Sequence, residues 1–532
     1  MKNEKRIAII DCETQGSSTS SSRIISISGI LVNSDLLELD RFEFYCSNVP
    51  GYIPDPYSLW VNKGLKKLKE TNMSHFNMMT EFHKYIRKWS PCIWGSWNGI
   101  GFDYPLIQKE NYKSLFPVYA TNTNGNEHGD FLPVARSSKL FYPDSLETNY
   151  SEKGNPIFKL DDLGPKNFPN LDQSLHHTAT HDVEVTLKVM KKLKSKAKPI
   201  YDSALMTTGK ESARKLIQDN QLFTTVFYYF GKARSFAVTY FFDHELYNWP
   251  MVFCLENDPK DLMALDYNSL KEKMRRPGKF VRACPLKHPI VLNISYSLNT
   301  EPFKTIGIEK LTERSRMIKD NPKFSEMCSR ALREIAEERS AQKQEKNEKA
   351  ERDPHNQLYS GGFPSAEDQA KMKKFHEAKD WAERYKIVLS LQDQRFKFFG
   401  FLLIYQNQPE VLPKHIYNQI HLETARRVLS VEEESFTTIP MAEHLIDSIR
   451  AEKDITKEKL DYMNEVDEMI QEMRATYEKV YTKSEQEKDE KLKKKMNEIP
   501  EWLKERSEVP DKLKLFEAES AGDGIKTKKD IA

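Results

Sequence analysis

Four consecutive apolar residues, Ile7-Ala8-Ile9-Ile10, lead directly into Asp11-Cys12-Glu13, and no other segment limits so strongly how this chain can fold. The run is too short for a lone helix and rich in β-branched side chains, so it reads as a buried strand ending in two carboxylates. Side chains alternate along a strand, which puts Asp11 and Glu13 on one face, about 7 Å apart, and Cys12 on the other. Such a strand needs neighbours. Residues 24–32 supply one, with Ser26 and Ser28 alternating; Phe42 and Phe44 alternate in another, and residues 93–97 in a further one. Between them Phe76, Met79, Phe82, Ile86 and Trp89 recur at helical steps, so the architecture is α/β.

A chain of 532 residues exceeds one ordinary core and implies two or three domains. Val183, Thr186, Leu187 and Met190 form a further helical stripe that dissolves into a basic, proline-ended stretch at 191–199, placing the end of the first domain at residue 198. Residues 199–352 form the second domain. Its short aromatic and β-branched runs at 223–230, 236–242, 251–255 and 290–294 predict a small β-rich barrel or sandwich. Residues 323–352 read as a solvated helix and linker whose only stripe is Ala331, Leu332, Ile335 and Ala336. Amphipathic helices at 366–389, 396–405, 415–429 and 463–481 make 353–510 a helical third domain, followed by a flexible tail at 511–532. The stretch 483–495 is almost wholly charged.

No segment approaches the roughly 18 apolar residues of a membrane span, and the N-terminus lacks the pattern of a secretory signal. The six cysteines are scattered without CxxC or zinc-finger spacing, which fits a reducing cytoplasm better than a disulfide framework or zinc site. With 81 Lys and Arg against 79 Asp and Glu, net charge is +2, so a nucleic-acid partner must be argued from clustered charge.

Taken alone, Asp11 and Glu13 read more readily as caps of the next element than as a metal site. Two further acidic segments follow. Asn98-Gly99-Ile100-Gly101-Phe102-Asp103 comes directly after a strand, and His177-Thr178-Ala179-Thr180-His181-Asp182 opens a helix. Hard oxygen ligands gathered beyond strand ends suit Mg²⁺, with Mn²⁺ a substitute.

Strand-DxE, NxxxFD and HxAxxD in this order resemble the DEDD exonucleases, and the subgroup with a histidine five residues before the last aspartate. Further segments resemble bacterial exodeoxyribonucleases I: Phe131-Leu132-Pro133-Val134, residues 158–163, Cys284-Pro285, residues 357–363 and Pro364-Ser365-Ala366-Glu367-Asp368. The likeness runs from residue 6 to about 430. It implies a ribonuclease H-like exonuclease domain, an SH3-like β-barrel and a C-terminal α-helical domain.

By that resemblance, Asp11, Glu13, Asp103 and Asp182 hold two Mg²⁺ ions about the scissile phosphate, and His177 orients or deprotonates the attacking water. Thr14 contacts the 3′-terminal nucleotide, and Phe102 packs either against a terminal base or in the core. Lys159 stands where the family usually has arginine, keeping a point charge without the bidentate fork. Lys271, Lys273, Arg275, Arg276, Lys279 and Arg282 form the clearest basic patch, read either as a DNA track or as a solvated turn. The implied partners are single-stranded DNA and the C-terminal tail of single-stranded-DNA-binding protein. Arginines usual before the family's Asn-x-Pro are missing at 404–409, and the charged stretch after 430 reads as a solvated helical appendage. The implied protein is a cytoplasmic monomer. Its activity is processive, Mg²⁺-dependent 3′→5′ degradation of single-stranded DNA to nucleoside 5′-monophosphates in repair and recombination. The competing readings are an RNA-trimming or proofreading exonuclease, and a non-catalytic single-strand-binding scaffold.

Overall fold

The computed structural model describes residues 5–19, 21–171, 178–276, 280–347, 353–432 and 435–480. Five strands make the first sheet: β1 (Ile7–Thr14), β2 (Ile24–Val32), β3 (Glu38–Tyr45), β4 (Ile93–Ser96) and β5 (Glu127–Asp130), in the order β3-β2-β1-β4-β5. The first three form an antiparallel meander, and β4 and β5 run parallel to β1. The period-2 rule then divides the core. Ala8, Ile10 and Cys12 face one hydrophobic core together with Ile25, Ile27 and Leu31, while Ile7 and Ile9 face another with Ile30 and Val32.

Helices cover both faces: α1 (Pro56–Asn62), α2 (Leu65–Glu70), α3 (His75–Trp89), α4 (Asp103–Lys113), α5 (Phe131–Phe141), α6 (Leu160–Asn167), α7 (Ala179–Lys196) and α8 (Lys198–Leu205). The stripe predicted for α3 is buried in full. The first unit runs past residue 198. Leu193 and Ala197 are buried, and Ile200, Tyr201 and Ala204 of α8 join the core of α7. The lysines of that stretch occupy the outer face of a helix rather than a linker.

Next come α9 (Lys210–Asp219), β6 (Phe223–Tyr229), β7 (Lys232–Asp243), β8 (Pro250–Cys254), α10 (Pro259–Met263), α11 (Tyr267–Arg275), β9 (Val281–Ala283), β10 (Val291–Asn293), α12 (Ser295–Leu298), α13 (Phe303–Lys319) and α14 (Pro322–Asn347). The strands form an antiparallel sheet in the order β10-β6-β7-β8-β9, on the runs expected to be β except for β9, which lies outside them. The solvated helix expected at 323–352 is instead structural. Phe324, Cys328, Ala331 and Ile335 lie on one face of α14 and enter the core of this sheet.

The remaining helices are α15 (Ala366–Glu377), α16 (Trp381–Ser390), α17 (Gln394–Asn407), α18 (Lys414–Leu429), α19 (Ile439–Arg450) and α20 (Lys457–Glu478). The expectation of a solvated appendage after residue 430 is overturned. Ile439, Ala442, Leu445, Ile446, Ile449, Met463, Val466 and Ile470 share the core of Cys12, Ile27 and Phe82. At about 1.5–3 kcal/mol per fully buried large apolar side chain, this is a substantial contribution to the nuclease-like unit itself. Polar contacts fix the register: the Tyr462 hydroxyl donates to Leu59 O (2.6 Å) and accepts from Leu65 N (3.1 Å), and Gly51 N donates to the Tyr477 hydroxyl (2.7 Å). Residues 483–495 and 511–532 lie outside the described residues. Among the described residues no helix is long and apolar enough to cross a membrane, and no disulfide links the six cysteines, all of them buried.

Candidate metal centre

Asp11 and Glu13 share the parity of Ile7 and Ile9, so they point to the face that α7 crosses. The β2 residues level with them are Ser28 and Ser26, and the β3 residues beyond are Glu43 and Tyr45. These small and polar side chains replace the apolar residues of the rest of that face and leave room for chemistry at the C-terminal end of β1. The helix α7 is positioned by Arg41 on Glu184 (3.1 Å) and by Thr180, which contacts Ser28 Oγ (3.0 Å) and donates to Glu43 Oε1 (2.5 Å). Its N-cap is Thr178, and Asp182 stands in its first turn, where the helix dipole favours negative charge.

The result is convergence. One carboxylate oxygen each from Asp11, Glu13 and Asp182 lie within 4.8 Å of one another. Asp11 and Asp182 are buried and Glu13 is half-buried. Three like charges held this closely, two of them away from water, repel one another unless a cation or protons intervene. An all-oxygen donor set fits Mg²⁺ or Mn²⁺.

Asp103 stands at the first position of α4, fully buried, with its Oδ2 accepting from Ser96 Oγ at 2.8 Å. It is not one of the three acids gathered within that distance. The turn that delivers it holds Asn98 at a φ of +65°. That turn is gripped by Asp130 at the end of β5, whose carboxylate accepts from Asn98 N (2.9 Å), Ile100 N (3.3 Å) and Leu132 N (3.1 Å). Burial pushes the Asp130 carboxyl up to about 6, against the opposing pull of these backbone donors.

His177 and Lys279 lie outside the described residues. Thr14 donates its hydroxyl to Gly16 O (2.6 Å), and its own carbonyl accepts from Asn62 (2.8 Å). Of the two readings of Phe102, the structure takes the core, where the ring is 1% exposed. Lys159 is the half-buried N-cap residue of α6.

The basic patch is largely committed to internal partners. Lys271 pairs with Glu334 (2.6 Å) and Glu338 (3.0 Å), and Arg275 with Glu272 (2.6 Å) and Glu338 (2.7 Å). Arg282 stacks over Phe236 (4.3 Å) and Tyr229 (4.8 Å) and bonds the Tyr229 hydroxyl. Lys273 and Arg276 remain exposed without an ion pair to a described residue.

Three neighbours of the centre escape a reading of the sequence. Asp130 gives only the signal of an N-cap before Phe131. Tyr45 borders Glu13, and its hydroxyl, donating to Glu43 Oε1 (2.6 Å), is held above the ordinary range by burial and by the Glu43 and Glu13 charges. Lys67 lies over the Tyr45 ring at 4.4 Å. Alternation past Phe42 and Phe44 would have placed Tyr45 on the acid-bearing face.

Comparison with known proteins adds three findings. Residues 8–190 match the family model described as exonuclease. Exodeoxyribonuclease I of Buchnera aphidicola subsp. Schizaphis graminum is 30% identical over 241 residues, 44% of this chain and 49% of the relative. The chain thus spans about half the length of the curated relatives it matches. In fold the likeness is broader. Exonuclease I from Methylocaldum szegediense superposes with a TM-score of 0.73 at 18% identity, covering 88% of this chain and all (100%) of that one. E. coli exonuclease I solved with a dA16 oligonucleotide gives 0.71 at 20% identity, covering 88% and 100%. An ExoI/SSB-Ct complex gives 0.70 at 19%, with the same 88% and 100% coverage. The chain therefore has the fold of exonuclease I over most of its length.

Proposed function

We propose that this chain, with an exonuclease-family match over residues 8–190 and the fold of exonuclease I over 88% of its length, is a Mg²⁺-dependent exonuclease that degrades single-stranded DNA from its 3′ end to nucleoside 5′-monophosphates. The observation that carries this is the meeting of Asp11, Glu13 and Asp182 beneath the start of α7. Asp103 joins them as the fourth acid by its motif. These acids would hold divalent cations, which would supply Lewis-acid activation of the attacking water and offset charge on the departing 3′ oxygen.

The chain's own groups do the rest. Asp11 and Glu13 stand on a buried strand and Asp182 on a capped helix, so their oxygens keep a fixed spacing. His177, with a reference pKa of about 6.5, takes the proton from the attacking water. Lys159 supplies a point charge for a phosphate. Among exposed aromatics, Tyr228 and Phe230 at the β6–β7 turn offer ring faces on which single-stranded bases stack, with the Arg136 guanidinium 3.5 Å from the Tyr228 ring centre.

The β-rich unit corresponds to an SH3-like barrel and, with the helical unit, encloses the strand and confers processivity. A cytoplasmic role in repair and recombination follows, with the tail of single-stranded-DNA-binding protein as partner; the likeness to the ExoI/SSB-Ct complex supports that reading. The direct test is digestion of an end-labelled single strand with Mg²⁺ or with EDTA, beside an Asp182→Ala protein. Release of mononucleotides by the wild type alone, with DNA binding retained by the variant, is expected. Binding without any release by the wild type would overturn the proposal in favour of a scaffold.

A further inference from the structure

Two residues outside the acidic motifs connect the β-rich unit to the metal centre. Asp130 is the β5 residue paired in register with Ser96 of β4. Together these partners place Asp103, since Ser96 bonds its carboxylate and Asp130 clamps the turn that ends at it. The backbone N–H of Asp130 in turn donates to Nδ1 of His288, at 2.7 Å. His288 comes from the segment between β9 and β10, is 3% exposed, and sits at a φ of +54°. Its Nε2 lies 2.9 Å from Ala204 O at the end of α8, so the ring donates there and accepts from Asp130. Both ring nitrogens of a residue from the second unit are thereby engaged by the first.

We propose that Asp130 is a positioning residue for Asp103 and that His288 keys the β-rich unit to it, so that docking of that unit tunes divalent-cation affinity at the centre. This rests on the metal-centre reading above. Partners that orient ligands from behind typically change metal affinity about 10–100-fold when removed. The Asn98–Ile100 turn closes on itself through Gly101 N and Phe102 N to Asn98 O (3.1 and 3.2 Å) and Tyr104 N to Gly99 O (2.9 Å), with Asn98 in the left-handed region, and the Asp130 carboxylate ties that closed turn to the end of β5.

The test measures Mn²⁺ binding to the full chain by calorimetry, together with the Mg²⁺ half-saturation and KM for an oligodeoxynucleotide. Asp130→Ala should weaken Mn²⁺ binding about tenfold or more and raise Mg²⁺ half-saturation alike, with KM for the strand unmoved. His288→Ala should shift both in the same direction by a smaller factor. His288→Asn, whose amide oxygen can accept at the Nδ1 position, should restore them. A merely structural role would lower the melting temperature and leave the affinity of the folded protein unchanged. Folded Asp130→Ala and His288→Ala proteins that bind Mn²⁺ as the wild type does would overturn this inference alone. If Asp130→Ala does not fold, the His288→Ala and His288→Asn pair decides by the same criterion. A wild type that binds no Mn²⁺ would overturn the metal-centre reading, and this inference with it.

Discussion

Two clusters of buried charge lie at the same end of the first sheet and are built on opposite rules. Asp11, Glu13 and Asp182 gather like charges. Beside them, Arg23, just before β2, meets Glu110 of α4 at 2.9 Å, with His75 at 3.1 Å and Lys113 at 3.9 Å from the same carboxylate. Burial raises the Glu110 carboxyl, but Arg23, His75 and Lys113 outweigh it and hold the group down to about 2. Burial takes His75 down to about 4, so it is neutral near pH 7. The second cluster is complete in itself and joins α3, α4 and β2 into one body. The first brings like charges together, which repel one another unless a cation or protons intervene. Burial of charge alone therefore does not mark a functional site; the sign of the nearest neighbours does.

Neutralising one member of each cluster breaks this contrast most sharply. Asp11→Asn should remove several kcal/mol of transition-state stabilisation, a fall in nuclease rate of about 10³-fold, while the melting temperature in EDTA holds or rises. Calorimetry beside a nucleotide-release assay checks both halves, and a lower melting temperature without metal would contradict the like-charge account. Glu110→Gln should do the reverse. It strands Arg23 and Lys113 without their carboxylate and should destabilise the protein by about 3–5 kcal/mol in denaturant titration, with activity per folded molecule near wild type.

The same contrast explains how much is legible in the sequence. The first four strands of the first sheet and the acids of β1 are readable because period-2 burial and the Asp11/Glu13 parity are local, whereas the short, polar β5 carries no such pattern. The Glu110 cluster is not, since Arg23, His75 and Glu110 are far apart along the chain and meet only in the fold. Distance in sequence also hides the partners of Lys271, because Glu334 and Glu338 lie some sixty residues away on α14. The helices α14 and α20 mislead for another reason. Their apolar residues form narrow stripes in strongly charged helices, and average composition there reports the solvent face. Asp130 looks like an ordinary cap, which it also is, and nothing local suggests that Asn98 and Ile100 fold back onto it.

The helical buttress behind Cys12 and Ile27 offers a milder perturbation. Ile446→Ala, at a fully buried position of α19, should lower stability by about 2–5 kcal/mol through transfer and cavity terms. If α19 were only an appendage, the change would be within the roughly 0.5 kcal/mol usual for surface substitutions.

The smallest and most discriminating effect is in the pH dependence of stability, because Glu110 and Asp130 are displaced in opposite directions. Glu110 is lowered from 4.5 to about 2, so its contribution is present above 4.5 and disappears as pH falls through about 2. Asp130 is raised from 3.8 to about 6, so the folded protein binds a proton that the unfolded chain releases between those values. Its contribution is therefore present below 3.8 and is lost as pH rises through about 6. Between pH 4.5 and 6 the Glu110 contribution is flat while that of Asp130 is falling. Asp130→Asn should remove that decline, on the order of 2 kcal/mol, and Glu110→Gln should leave it in place. Urea midpoints at several pH values, read as differences from wild type, make the comparison independent of every other titrating group. Equal slopes for wild type and Asp130→Asn over this interval would mean that the carboxylate gripping the Asn98 turn is not held in the buried environment described for it.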